Sequence, residues 1–305
     1  MATKYNIIVI LGPTASGKTS VAAHLAARIN GEIISADSRQ VYKSLNLGTG
    51  KDYNDYLINR EAVPYHLIDI AEPGYQYNVY EYQQDFLKAY SNITGKGKMP
   101  ILCGGTGLYI EAALEEYKLI QVPVNVELRE NLEKKDLNEL AEMLSSYRNL
   151  HNTTDITQKK RAIRAIEIEE YYKTHSVPAG ETLALKPLYI GVKFDRLTER
   201  QRITKRLNER LNEGMVDEVR NLLDNGTTPE QLIYYGLEYK FITRYIIGEI
   251  SFDEMFALLN TAIHQFAKRQ MTWFRRMERK GTDIHWLDGL MPVEQKIDRI
   301  VELYK

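Results

Sequence analysis

The segment that most constrains this chain is the octapeptide Gly12-Pro13-Thr14-Ala15-Ser16-Gly17-Lys18-Thr19, which fits the pattern G-x-x-x-x-G-K-[ST] in full. A short β-branched run, 7–11, precedes it, and residues 20–29 carry apolar side chains at helical spacing after it. A strand, a glycine loop and a helix in this order surround an anion with backbone N–H groups and the positive end of the helix. Lys18 is then expected to contact phosphate oxygens, and the Thr19 hydroxyl to bind Mg²⁺. The pattern predicts that the chain binds a diphosphate or triphosphate. It leaves open whether a nucleotide such as ATP carries that group.

The rest of the pattern predicts an α/β protein with a P-loop NTPase-like parallel sheet flanked by helices, because strands and helices alternate along the chain. Strands are predicted over 7–11, 32–36, 65–70, 99–103, 188–192 and 284–287. Helices are predicted over 20–29, 80–93, 128–146, 158–173, 199–223, 251–279 and 293–303. No strand is predicted between 126 and 186, so we expect a catalytic core domain of residues 1–117 and 185–305 and an all-helical insertion domain of residues 118–184.

The charge balance excludes a protein that coats nucleic acid by bulk charge, because 40 Lys and Arg face 41 Asp and Glu and the net charge is −1. A local basic face remains compatible with this mean. The single cysteine, Cys103, excludes an intrachain disulfide and a cysteine-based zinc site, which favours the reducing cytoplasm. No run approaches the ~18 apolar residues of a membrane span, and the apolar run near the N-terminus is too short for a signal peptide. We therefore expect a cytoplasmic protein without a membrane partner.

A metal-binding acid is absent where hydrolytic P-loop enzymes usually carry one, at the end of a nearby apolar strand. The run 101–103 leads instead into Gly104-Gly105-Thr106-Gly107. Asp37 and Asp69 do follow predicted strands and stay open as alternatives. The loop is therefore stronger evidence for phosphate binding than for ATP hydrolysis.

Asp37 lies just past the carboxyl end of the second predicted strand, where open α/β sheets bind ligands. Its carboxylate is a candidate general base, metal ligand or helix N-cap. From the residue alone, the helix cap is the favoured interpretation. Arg39 and Gln40 carry forked polar side chains that suit the reading of base edges.

Two basic clusters are candidate contacts to a phosphate backbone. The first is Lys159-Lys160-Arg161-Ala162-Ile163-Arg164, for which a solvated helix face is the plain alternative. The second is 261–282, where six basic residues and one acid give a local charge of +5. Trp273 and Phe274 lie within this second cluster, and core packing is the favoured interpretation for both aromatic side chains.

Taken together, the motifs resemble those of tRNA dimethylallyltransferases, the IPP transferase family, whose bacterial members prenylate an adenine beside the anticodon. The match runs from residue 8 to about residue 287. The segments that carry it, in the family's order, are Gly12–Thr19, Asp37-Ser38-Arg39-Gln40-Val41-Tyr42, Gly48-Thr49-Gly50-Lys51, His66-Leu67-Ile68-Asp69, Gly104-Gly105-Thr106-Gly107-Leu108-Tyr109 and Lys268-Arg269-Gln270-Met271-Thr272-Trp273-Phe274-Arg275.

The chain departs from the family pattern in three places. The family commonly has Asp-Ile-Gly-Thr-Ala-Lys-Pro where this chain has Asn46-Leu47-Gly48-Thr49-Gly50-Lys51-Asp52. It often has His-His where this chain has Tyr65-His66, and residues 233–239 match the family's Gly-Tyr element only loosely. These departures concern contacts to the tRNA more than the chemistry.

The resemblance implies transfer of a dimethylallyl group from dimethylallyl diphosphate to N6 of adenosine 37 of tRNA, with Mg²⁺ as cofactor. It implies that Asp37 is the general base and that Thr14 and Arg206 complete the catalytic set. The other implied roles follow from matching positions. The diphosphate would contact Gly12, Thr14, Ala15, Ser16, Gly17, Lys18, Thr19 and Arg202, with Thr19 also on the metal. The anticodon stem-loop would contact Asp37, Ser38, Arg39, Gln40, Thr106, Arg129, Lys160, Arg161 and Arg164, and the helical insertion would grip it. We expect a monomer.

Three other functions remain open at this stage. A P-loop nucleotide kinase would use the same loop with the insertion as a lid, but the missing acid after 101–103 and the basic segment 261–282 argue against it. An RNA-binding switch protein would use a nucleotide only for regulation. An enzyme that prenylates free adenine nucleotides is disfavoured, because such proteins tend to lack the helical insertion and the basic C-terminal region.

Overall fold

The structure is a computed structural model that describes residues 4–115, 119–147, 156–175 and 183–305. The elements up to residue 115 are β1 (Ile7–Leu11), α1 (Lys18–Ile29), β2 (Gly31–Ala36), a 3-10 helix (Tyr53–Tyr56), β3 (Leu57–Ile58), β4 (Glu61–Ala62), β5 (Tyr65–His66), α2 (Val79–Gly95), β6 (Met99–Gly104) and α3 (Gly107–Leu114). The remaining elements are α4 (Val126–Leu132), α5 (Leu137–Tyr147), α6 (Lys159–Thr174), β7 (Pro187–Lys193), α7 (Arg196–Asn212), α8 (Met215–Asp224), α9 (Pro229–Tyr234), α10 (Leu237–Ile246), α11 (Phe252–Arg279), β8 (Ile284–Asp288) and α12 (Val293–Tyr304).

Six strands form one parallel sheet in the order β5-β2-β6-β1-β7-β8, and this confirms the predicted fold class. Strand β1 is buried along its whole length, as expected for a parallel strand with both faces covered. Ile8 and Ile10 on one face of the sheet pack with Val21 and Leu25 of α1 and Ile297 of α12. The order places the carboxyl ends of β1, β6 and β2 side by side.

The chain divides into two compact units, one of Met1–Glu115 and Ala184–Lys305 and the other of Glu116–Leu183. The domain boundary predicted at residue 117 lies outside the described residues. In the first unit, the helices α7, α8, α10 and α11 share an apolar cluster that includes Leu207, Met215, Tyr239 and Leu259. This cluster fixes the helices that carry polar side chains to the carboxyl edge of the sheet.

The second unit is built from α4, α5 and α6. Its apolar centre is formed by Leu132, Leu140, Leu144, Ala162, Ile163, Ala165 and Ile166. The buried carboxylate of Glu167 accepts hydrogen bonds from the backbone N–H of Asn125 at 2.7 Å and from Arg129 Nε and Nη2 at 2.9 and 2.7 Å, and it also pairs with Arg164. One buried acid therefore ties the start of α4 to α6.

Three predicted elements are wrong in extent. The strand predicted over 65–70 ends at His66, because Leu67 and Asp69 take left-handed conformations with φ of 63° and 57°. The helix predicted over 199–223 is two helices, since Gly214 has φ of 98° and ends the first. The helix predicted over 128–146 is also two, α4 and α5. Helices α9 and α10 were not predicted, although Thr228, Pro229 and Gln231 form a capping box with proline at the first helical turn.

Among the described residues, no helix is both long enough and apolar enough to cross a membrane.

Candidate functional site: a phosphate loop with a carboxylate and an arginine row

The loop between β1 and α1 has the backbone shape of an anion cradle. Ala15 and Gly17 are both left-handed, with φ of 59° and 80°, so successive N–H groups turn toward one side. The first N–H groups of α1 have no partner within the helix. Only glycine fits at position 12, because a Cβ there would lie 2.5 Å from the carbonyl oxygen of Val192. The Ser16 hydroxyl is buried and makes no hydrogen bond within the described part of the chain, so it is free to donate to a bound anion.

Basic side chains converge on this loop from α1 and α7. Burial lowers the pKa of Lys18 and the Arg206 charge lowers it further, while Cys103, Asp37 and Asp52 act in the opposite direction. Arg202 Nε donates to the carbonyl oxygen of Ala15 at 3.0 Å, and its guanidinium lies 4.3 Å from the ring of Phe194. The arginines that follow β7 are thereby placed beside the loop, 187 residues away in sequence.

Arg202, Arg206 and Arg210 recur every four residues and so lie on one side of α7. Arg206 Nη2 lies 2.8 Å from Asp52 Oδ2, and Arg210 Nη2 lies 3.0 Å from Asp52 Oδ1. Arg210 also donates to the carbonyl oxygen of Leu47 at 2.7 Å. Asp52, which stands where the family commonly has proline, is thus the shared partner of two arginines in this row.

Asp37 follows β2 and caps the turn after it. Its Oδ1 accepts the N–H of Arg39 at 2.9 Å and that of Gln40 at 3.4 Å. The interpretation of Asp37 as a helix cap is wrong, because the residues that follow form a turn and not a helix. Its Oδ2 makes no hydrogen bond to any residue that the structure describes, which leaves one carboxylate oxygen available for a proton.

The residues after Asp37 are held to neighbouring strands and loops. The N–H of Ser38 donates to Thr106 Oγ1 at 3.2 Å, which joins the ends of β2 and β6. Gln40 Nε2 donates to the carbonyl oxygen of Gly50 at 3.0 Å, so this amide holds the 46–52 loop in place. The Arg39 guanidinium lies 5.4 Å from the ring of Tyr234.

The acids considered as metal ligands do not form a cluster. Asp69 is paired with the buried Lys51 and with the Tyr53 hydroxyl, so both of its oxygens are engaged. Within the ranges that the structure describes, no group of three or more His, Cys, Asp and Glu residues is placed to hold a metal ion. A cation at this edge of the sheet would therefore have to be held mainly by phosphate oxygens and a hydroxyl such as that of Thr19.

Gln270 of α11 lies in a segment that carries the family resemblance, but the sequence assigned it no role. Its Oε1 accepts the N–H of Thr14 at 2.8 Å, and its Nε2 donates to the carbonyl oxygen of Gly105 at 2.9 Å. The signal was present in the helical periodicity. Gln270 is the polar member of a buried stripe on α11 that otherwise consists of Met255, Leu259, Ile263, Ala267, Phe274 and Met277.

Some basic side chains of the two clusters, and Arg129, are already held in ion pairs. In the second unit Arg129 and Arg164 are bound to Glu167, whereas Lys160 and Arg161 are exposed and form no ion pair within the described ranges. On α11 the structure pairs Arg276 with the buried Glu111. Part of each cluster therefore stabilises the fold, and the exposed remainder is available to a ligand.

Phe274 and Trp273 of α11 are buried to different degrees. Phe274 is fully buried, and the Trp273 ring sits so close to Gly107 that a Cβ there would lie 2.1 Å from it. Core packing is confirmed for Phe274, whereas Trp273 is half-buried against Gly107.

The fold and site define a P-loop protein with a six-stranded parallel sheet. Its phosphate loop faces a carboxylate and an arginine row, and the strand beside the loop ends in glycines that are held by an amide. Comparison with known proteins makes the class specific. The model of the family described as IPP transferase matches residues 40–277, and that described as Isopentenyl transferase matches residues 5–64. The chain belongs to the IPP transferase family.

Two relatives and one solved structure match this chain over nearly the whole of both lengths. A protein of Parabacteroides distasonis named tRNA dimethylallyltransferase 1 is 61% identical over 96% of this chain and 95% of its own length. One of Bacteroides fragilis named tRNA dimethylallyltransferase 2 is 60% identical over 99% of this chain and 98% of its own. The solved structure of a tRNA isopentenylpyrophosphate transferase of Bacillus halodurans is 30% identical, with a TM-score of 0.72 over 98% of this chain and 95% of that one. The resemblance drawn from the motifs is confirmed.

Proposed function

We propose that this protein transfers a dimethylallyl group from dimethylallyl diphosphate to N6 of adenosine 37, beside the anticodon of tRNA. The products are N6-(dimethylallyl)adenosine and diphosphate. The observation that carries the proposal is the meeting of three features at one edge of the sheet in a chain of the IPP transferase family. These features are the phosphate loop, the Asp37 carboxylate with one unbonded oxygen, and the arginine row of α7.

The chemistry assigned to these residues is a displacement at C1 of the prenyl group. The N6 nitrogen forms the new C–N bond, the C–O bond to diphosphate breaks, and its electron pair leaves with the diphosphate. The N6 proton goes to Asp37, because an exocyclic amine is a weak nucleophile until its proton is accepted. Lys18, Arg202 and Arg206 neutralise the charge that builds on the leaving group, and a planar guanidinium suits a phosphate because it binds two oxygens at once.

Magnesium fits this site as a partner of the diphosphate. Mg²⁺ commonly uses one or two protein oxygens with substrate phosphates and water, and Thr19 offers a hydroxyl in the first turn of α1. The unbonded Ser16 hydroxyl beside it is consistent with a loop that receives an anion. When bound, the ion would supply further charge neutralisation on the leaving diphosphate.

Recognition of the RNA is assigned to exposed basic side chains and to the turn after β2. We propose that the helical unit grips the anticodon stem-loop, and that Lys160 and Arg161 contact its phosphates because they are exposed and without ion-pair partners in the described ranges. Adenosine 37 lies in a stacked loop, so it must leave the stack for its N6 to reach Asp37. The family resemblance implies that the RNA near adenosine 37 contacts Ser38, Arg39, Gln40 and Thr106. We propose that the protein acts as a monomer in the cytoplasm.

The nucleotide kinase alternative is not favoured. The relatives that match over nearly the whole chain are named tRNA dimethylallyltransferases. In addition, the strand next to the phosphate loop ends in Gly104-Gly105, where Gln270 binds, and carries no metal-binding acid.

The test is a transfer assay with radiolabelled dimethylallyl diphosphate and Mg²⁺. The acceptor is an unmodified anticodon stem-loop with A36-A37-A38, and the matched control carries guanosine at position 37, which lacks the 6-amino group. Label is expected on the first RNA and absent from the second. AMP and ATP are tested in parallel. Phosphorylation of a nucleotide without prenyl transfer, or transfer to AMP in preference to RNA, would overturn the proposal.

A further inference from the structure

Gln270 joins two turns that lie far apart in the sequence. Its side chain is 7% exposed, and its two amide ends bind the N–H of Thr14 and the carbonyl oxygen of Gly105 at 2.8 and 2.9 Å. A buried amide is costly unless it is hydrogen-bonded, and here both ends are satisfied by backbone groups. The side chain is therefore held in one orientation and holds both turns in return.

The space around this amide is too narrow for a side chain on the facing turn. A Cβ on Gly105 would lie 2.3 Å from Gln270 Nε2 and 3.1 Å from the carbonyl oxygen of Gly12. The glycine after β6, the phosphate loop and α11 thus form one close contact. Each of the three depends on the other two for its position.

The Gln270 amide is neutral and lies where many P-loop enzymes carry an acid. P-loop hydrolases keep a carboxylate at the end of the adjacent strand to hold their metal. In this chain a neutral amide binds there, and it adds no negative charge next to an incoming diphosphate. It also fixes the N–H of Thr14 in direction, and with it the backbone from which the Thr14 side chain extends.

We propose that Gln270 is a positioning residue for group transfer, which acts through Thr14 by fixing the phosphate loop in the shape that receives the diphosphate. This inference rests on the proposed function for the identity of the substrate. The physical reason is preorganisation, since donors that are already aimed at developing charge need no rearrangement during the reaction. No proton or bond changes at Gln270 itself.

Two substitutions separate the hydrogen bonds from the volume. Gln270→Met keeps a similar volume and removes both hydrogen bonds. Gln270→Glu keeps an acceptor for the N–H of Thr14 but loses the donor to Gly105 and adds a negative charge. Gln265→Met is the matched control, because Gln265 is an exposed glutamine of the same helix.

The first measurement is binding of inorganic diphosphate by isothermal titration calorimetry, which does not depend on prenyl transfer. Gln270→Met is expected to weaken binding at least tenfold and Gln270→Glu more strongly, while Gln265→Met leaves it unchanged. Wild-type affinity in both Gln270 variants would overturn the inference, whatever the transfer assay shows. If the wild-type protein binds diphosphate but transfers no prenyl group, the proposed function fails and this inference stands.

The second measurement is a double-mutant cycle with Thr14→Ala, read as kcat/KM for dimethylallyl diphosphate. If Gln270 acts through Thr14, the losses caused by Gln270→Met and Thr14→Ala will be strongly non-additive, since each removes the same arrangement. Additive losses would mean that Gln270 only supports the fold. If Gln270→Met does not fold, as judged by its thermal midpoint, the cycle is run with Gln270→Glu, and additivity there would overturn the inference equally.

Discussion

Replacing Asp37 separates two roles that this carboxylate combines. In the structure Oδ1 caps the turn after β2 through the N–H groups of Arg39 and Gln40, whereas Oδ2 is the oxygen assigned to the N6 proton. Asp37→Asn retains an oxygen that accepts both N–H groups but cannot act as a base. Asp37→Ala removes the cap and the base together. The two variants should therefore differ in stability and agree in turnover.

The magnitudes follow from the contacts. A side-chain hydrogen bond contributes about 1 kcal/mol, so Asp37→Ala should lower the free energy of unfolding by about that amount and Asp37→Asn by less. Loss of a general base costs about 10²–10⁴ in rate, which is about 3–5 kcal/mol in activation free energy. Diphosphate affinity should be equal or slightly tighter in both variants, because a negative charge near Lys18 is removed.

The assay is single-turnover transfer to the stem-loop at saturating concentrations, together with urea unfolding and calorimetric titration of diphosphate. Asp136→Asn and Asp136→Ala are matched controls, since Asp136 Oδ1 likewise accepts two N–H groups, at 2.8 and 2.9 Å, but in the helical unit. Turnover within tenfold of wild type in Asp37→Asn would refute the assignment of the base. A collapse of diphosphate affinity would instead make Asp37 a metal ligand.

The remaining predictions concern RNA binding, acid stability and the thiol. The double variant Lys160→Glu/Arg161→Glu should weaken stem-loop binding and lower the slope of log K against log salt concentration by the amount expected for about two phosphate contacts. Lys88→Glu, at an exposed site on α2, is the control. An unchanged slope in the double variant would contradict the assigned contacts. Burial alone would raise the pKa of Glu32, but hydrogen bonds from Lys98, His66 and Lys96 outweigh it and lower the pKa to about 2. The charged form of Glu32 therefore stabilises the fold above its ordinary pKa, and about 3 kcal/mol is lost as the pH falls from about 4.5 to about 2. Glu32→Gln should flatten the unfolding free energy over that window, and a slope equal to wild type would refute the link. Burial raises the pKa of Cys103 to about 12, so iodoacetamide at pH 8 should label the thiol only after unfolding, and rapid labelling of the native protein would contradict this burial.

The phosphate loop was predictable because its geometry is local. Left-handed residues, a tight glycine and the start of a helix are all encoded within residues 12–19, and the strand before them is recognisable from its β-branched residues. Asp37 was found for a related reason, since the end of a parallel strand is a ligand position in any sheet of this kind. The sequence favoured a helix after Asp37 where the structure has a turn, because turns and short helices begin with the same residue types.

The contacts that complete the site could not be predicted, because they join distant segments. Thr14 and Gln270 are 256 residues apart, and Arg206 and Asp52 are 154 apart. Periodicity shows which face of a helix is buried but not which residue meets it across the core. The failed strand over 65–70 has a similar cause, since two left-handed residues end it and nothing in its apolar composition indicates them.

By itself, the sequence determined the class of fold, the phosphate loop, the position of the carboxylate and membership of a family, because short-range patterns encode each of these features. The tertiary structure decided which charges are free. It pairs Arg129 and Arg164 with Glu167 and Arg276 with Glu111, and leaves Lys160 and Arg161 exposed. It also placed a neutral amide where hydrolases keep an acid. Which basic side chains are already paired within the protein depends on packing between segments that are far apart in the sequence.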